Sequence, residues 1–83
     1  MKNQINNYLT SDIKIASYLL SKNIPLIGVD RPKSDKVTFV FEQSNRIKQF
    51  IQDYFLDKAS VNPRLLFESY GNLKSIIFKE IGI

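Results

Sequence analysis

The chain changes its hydrophobic period at one point, and that switch limits its fold more than any other feature. In KVTFVFE, Lys36 to Glu42, the residues Val37, Phe39 and Phe41 fall at every second position, as on a half-buried strand. Directly afterwards Ile47, Phe50, Ile51, Tyr54 and Phe55 recur at i, i+3, i+4, i+7 and i+8, the pattern of a helix docked on a core. A strand that runs into an amphipathic helix belongs to a fold that mixes both elements around one core. Ser44 stands at the junction as a helix cap, with Arg46 and Lys48 beside it.

The same tests place the other elements. Residues 1–8 are polar at first and lack a period, and they read as a loose N-terminal arm. Thr10, Ser11 and Asp12 offer caps for a helix in which Ile13, Ile15, Ala16, Leu19 and Leu20 share one side and Lys14, Ser17 and Ser21 face away. Tyr18 lies at its margin, and the helix ends near Asn23. Pro25 then favours extended chain. Strands Leu26 to Asp30 and Lys36 to Glu42 flank the turn Arg31-Pro32-Lys33-Ser34-Asp35 as a hairpin. Pairing Val29 with Val37 and Ile27 with Phe39 gives one apolar face. The same register leaves Leu26 opposite Val40 on the other face and closes the turn with Asp30 against Lys36.

Asn62-Pro63 starts the last helix, because Asn caps well and proline suits the first helical position. Leu66, Tyr70, Leu73, Ile77 and Ile81 form its stripe, with Phe67 and Phe78 alongside. Gly71 could break it in two. The expected fold is α+β, in the order α-β-β-α-α, an antiparallel β-hairpin with one face covered by three helices. Residues 1–83 make one small domain.

Composition narrows the chemistry. With no cysteine and no histidine, the chain lacks the ligands of ordinary zinc, copper and iron sites, the nucleophilic thiol and the commonest neutral-pH base. No two of Asp12, Asp30, Asp35, Asp53, Asp57, Glu42, Glu68 and Glu80 form a recognisable acid and base pair, and Glu68 reads as a surface partner of Arg64. The expectation is a non-enzymatic protein without cofactor or metal. No apolar segment marks a signal peptide or membrane span, so cytoplasmic residence is expected.

Several short runs carry a resemblance. Tyr8-Leu9-Thr10-Ser11-Asp12 precedes a helix containing Ala16-Ser17 and Leu19-Leu20; Val37-Thr38-Phe39-Val40-Phe41, Val61 with Pro63, and Leu73-Lys74 follow. This spacing resembles a family of small bacterial and phage domains known only as a domain of unknown function, over Tyr8 to Phe78. The resemblance implies a structural pattern and no activity.

The net charge of +4 suits an anionic partner, although the Lys and Arg residues are scattered. The leading expectation is a bacterial, phage or mobile-element accessory module that contacts nucleic-acid phosphates through Arg31, Lys33, Arg46, Lys48 and Lys74. Arg31 and Lys33 sit on the hairpin tip, which would act as a wing. Arg46 and Lys48 sit at the start of the second helix, where free N–H groups attract anions, although EQSNR lacks the glycines of a phosphate cradle. Lys74 lies at the edge of the apolar stripe, near Tyr70, Phe67 and Phe78, where its stem can snorkel. The alternative is a protein-interaction or assembly module. It would use the hairpin edge and a sheet face bearing Leu26, Thr38 and Val40 to dimerise or to bind another protein. Phe39, Phe41, Phe50, Tyr54, Phe55 and Tyr70 are assigned to the core, which leaves only Tyr8 and Tyr18 as exposed rings.

Overall fold

A computed structural model of the chain describes residues 7–30 and 36–81. The class is α+β as expected, but the order is β1(Asn7–Thr10) α1(Ile13–Ser21) β2(Leu26–Asp30) β3(Thr38–Glu42) α2(Asn45–Phe55) α3(Pro63–Ile81). The hairpin is therefore a three-stranded antiparallel sheet with β3 in the middle. The additional strand comes from the segment assigned to the loose arm, of which Met1 to Asn6 lie outside the described residues. Asn7-Tyr8-Leu9-Thr10 pairs with Glu42-Phe41-Val40-Phe39 and gives β3 a partner on its second edge. Because β1 and β2 both run antiparallel to β3, they are parallel to each other, and α1 carries the chain across between them.

The β2–β3 register also differs from the expected one. Val29 faces Phe39 and Asp30 faces Thr38, two residues along from the predicted pairs. A two-residue slip keeps every side chain on its face, which is why the alternation alone did not distinguish the two registers. A bulge at Ile27 breaks this register, so Leu26 faces Phe41. Leu26 consequently lies on the core side and packs against the core, not on the open face assigned to it. Asp30 faces Thr38 and not Lys36 across the ladder, and β3 begins two residues later than predicted.

Local chemistry sets the helix ends. Asp12 Oδ1 accepts the Lys14 and Ile15 N–H groups at 2.9 and 3.4 Å, Ser44 Oγ accepts that of Ile47 at 3.3 Å, and Asn62 Oδ1 accepts those of Arg64 and Leu65. Each such cap contributes about 1 kcal/mol. α1 closes in a Schellman turn: Ile24 N–H donates to Leu19 O at 3.1 Å and Asn23 N–H to Leu20 O at 3.0 Å. α2 closes the same way, through Lys58 to Asp53 O and Asp57 to Tyr54 O. Among the described residues, Asn23 (φ 67°) and Asp57 (φ 61°) are left-handed, members of the residue types that tolerate this conformation best after glycine. α3 runs unbroken through Gly71.

The core gathers Phe39 and Phe41 from β3, Ile15, Ala16 and Leu19 from α1, Ile47 from α2 and Leu73 from α3. α1 packs most extensively on α3, and small residues make the approach possible. Ser17 and Ser21 are buried there rather than facing water. Each hydroxyl donates inside its own helix, Ser17 to Ile13 O at 2.6 Å and Ser21 to Tyr18 O at 2.7 Å. A serine satisfied in this way presents little bulk, as alanine would.

Candidate functional site

α3 carries more apolar surface than α1 can cover. Advancing about 100° per residue, Leu66, Ser69, Leu73, Ile76 and Ile77 take the side turned to the core. Phe67, Tyr70, Lys74 and Phe78 form a second stripe beside it. Phe67 is 70% exposed and Phe78 49%, and Tyr70 is also exposed. Tyr70 and Phe55, both expected in the core, therefore lie on the surface. For Tyr70 the cause is the rotation of α3, which buries Leu73 and Ser69 instead, while Phe55 closes the last turn of α2 beyond the buried Ile47. Lys74 behaves as expected, with its ammonium over Tyr70 at 5.6 Å and Phe78 at 6.0 Å from the ring centroids.

The second stripe borders a groove of about 490 Å³. α1 lines it with Lys14, Ser17 and Tyr18, α2 with Tyr54, the α2–α3 loop with Ala59 and Val61, and α3 with Leu66, Phe67 and Tyr70. Tyr18, expected as an exposed ring, is only 3% exposed. It meets Phe50 edge-on at 6.0 Å and Tyr54 at 5.6 Å. Burial, and secondarily the negative charge of Asp53, raise its phenol above the usual tyrosine range, so at neutral pH it is uncharged. Tyr8, the other ring expected outside, is half-buried on the core side of β1, and burial likewise raises its phenol.

The predicted cations are spread around this framework. Arg31 and Lys33 lie outside the described residues. Arg46 is occupied structurally: its guanidinium lies 5.7 Å from the Phe50 ring centroid and donates to Lys22 O at 3.3 Å, a carbonyl at the end of α1. Lys22 adds its ammonium to the same ring at 5.7 Å, a contact with no signal in the sequence. Lys48 points elsewhere, to a smaller groove of about 270 Å³ with Tyr8, Ile51 and Phe55. Residues two apart on a helix diverge, so Arg46 and Lys48 cannot share one anion, and Ser44 takes the Ile47 N–H itself. Arg64 and Glu68, expected as a surface pair, are both exposed and form no ion pair among the described residues, because solvation outcompetes a gain of a few tenths of a kcal/mol.

The open sheet face is narrow. Leu9, Val40 and Gly28 share one row across the strands. Leu9 is exposed, and Thr38 Oγ1 lies 3.0 Å from Ser11 Oγ beside it. Thr38 and Val40 are thus on the face predicted for them, with Leu9 rather than Leu26 as their apolar neighbour. Among the described residues, no helix is long and apolar enough to cross a membrane.

A helical pattern with one apolar side per helix does not contain the groove. The available signal was the width of α3's apolar arc, which spans Leu65, Leu66, Phe67, Tyr70, Leu73, Ile76, Ile77 and Phe78, too many for one docking face. A family model described as a domain of unknown function, DUF5659, matches residues 5–78. No curated protein and no solved structure matches the chain.

Proposed function

We propose that this chain, which belongs to the domain-of-unknown-function family DUF5659, is a non-enzymatic interaction module that binds another protein through the outer stripe of α3 and the groove beside it. The observation that carries this reading is the exposure of Phe67 and Phe78 on the helix whose Phe67 and Tyr70 also wall the groove. Single exposed apolar residues are ordinary, whereas large rings in one stripe next to a concave apolar wall are what partner surfaces use. Arg46 already serves the α1–α2 contact and Lys48 faces a different groove, so dispersed phosphate contact has less support than ring burial.

The test is panning of a displayed library of helical peptides on the native domain and on a Phe67→Ser/Phe78→Ser double variant. Both side chains are exposed, so stability is expected to stay within about 1 kcal/mol for the pair. Peptides with bulky apolar residues at helical spacing should be enriched on the native protein and lost on the variant. Enrichment that ignores the double substitution would remove this surface from the function. Single-stranded DNA binding that weakens steeply with salt, and loses slope in Arg46→Ala/Lys48→Ala, would instead establish phosphate contact. Concentration-dependent sedimentation abolished by Val40→Asp would place the interface on the sheet face, between copies of the chain.

A further inference from the structure

We infer that the segment docking on this surface is acidic: it places a bulky apolar side chain in the groove and sets carboxylates against Lys14 and Lys74. The inference rests on the protein-binding reading above and adds the partner's chemistry. Among the described residues, Lys14 is the one charged residue lining the groove, and no carboxylate lines it. Lys74 holds its ammonium over Tyr70 and Phe78, so anything that covers those rings also removes water from that ammonium. Neither lysine forms an ion pair among the described residues.

Desolvating an unpaired cation is costly, and a partner that supplies a carboxylate at the same moment offsets that cost. A neutral partner would leave the cation uncompensated, and a basic one would add repulsion where water has been excluded and Coulomb forces are strongest. Asp53 is the carboxylate whose charge reaches Tyr18 of this wall. It accepts from Gln49 Nε2 at 3.0 Å, which ties it to α2's own surface. The groove's volume, about 490 Å³, suits insertion of one or two large side chains rather than of an entire element.

The experiment compares two short helix-forming peptides with identical apolar anchors, one carrying Glu and the other Lys at the remaining exposed positions, by fluorescence anisotropy at low and high salt. The Glu peptide should bind roughly tenfold or more tightly at low salt, and the preference should shrink as salt rises. In Lys14→Glu/Lys74→Glu the preference should invert, with circular dichroism confirming an intact fold. Equal affinities, a preference for the Lys peptide, or a Glu preference that survives the double reversal would each overturn the acidic assignment. If neither peptide binds while panned peptides sensitive to Phe67→Ser/Phe78→Ser do, the acidic assignment fails and the interface stands. If panning also yields none, both fail.

Discussion

Phe39→Ala is expected to lower the unfolding free energy by about 3–5 kcal/mol, while Phe67→Ala changes it by no more than about 0.5 kcal/mol. Phe39 is fully buried in the central strand, between Thr10 of β1 and Val29 of β2, and forms part of the cluster that joins sheet to helices. Its removal loses the transfer energy of the ring and leaves a cavity that three strands cannot easily collapse. Domains in general are stable by about 5–15 kcal/mol, and one this small belongs near the lower end, so the variant should be close to unfolding at room temperature. Phe67 loses almost nothing because its ring is already in water. Urea unfolding measures both. Equal destabilisation would mean that α3 turns Phe67, not Leu73, toward α1.

Ser17→Leu is expected to cost about 1–3 kcal/mol, or to prise α1 from α3, whereas Ser17→Ala should be close to neutral. Ser17 is 1% exposed where α1 meets α3, and its hydroxyl already donates to Ile13 O, so alanine keeps the close approach and removes only an internal bond. Alanine's better helix propensity, worth about 0.5 kcal/mol, offsets that loss. Leucine would break the close burial of Ser17 on α1, the helix that packs most extensively on α3, and push its added bulk toward the groove that Ser17 lines. Thermal unfolding of the pair decides the matter, and an Ala variant as damaged as the Leu variant would mean that the hydroxyl, not the bulk, is what the site requires.

The local signals in this sequence were legible because they act over a few residues. Ser44 caps α2, Asn62 caps α3 ahead of Pro63, and β2 occupies Leu26 to Asp30 as the turn residues suggested. What escaped depends on partners distant in sequence. Asn7-Tyr8-Leu9-Thr10 is too short and polar to announce a strand, and becomes one only because β3 has a free edge more than two dozen residues away. The bulge at Ile27 moved Leu26 to the core face, an offset that strict alternation cannot encode.

The rotational setting of α3 was the largest difference, and it decides the candidate site. Tyr70 and Leu73 both satisfy a helical stripe, but the angle α3 takes buries Ser69 and Leu73 where it packs on α1, itself bearing buried Ser17 and Ser21, and leaves Tyr70 exposed. Ser17 and Ser21 are polar and by pattern face outward, and Ser69 belongs to no stripe in the sequence, yet all three are buried because their small size is the relevant property. With that angle fixed, the aromatic residues beyond it have nothing of their own helix pair to bury them. Tyr18 shows the converse: a ring assigned to the surface is buried because Phe50 and Tyr54 of α2 enclose it.

The central claim, that α3 turns its Phe67 side to water and its Ser69 side to α1, is tested most directly by thiol accessibility. The native chain contains no cysteine, so Phe67→Cys and Ser69→Cys each introduce a single reporter on one helix. Under native conditions the thiol at position 67 should react with an aromatic disulfide reagent at nearly the rate of the unfolded chain, and the thiol at 69 only as fast as the domain opens. Protection at 67 together with rapid reaction at 69 would contradict the account.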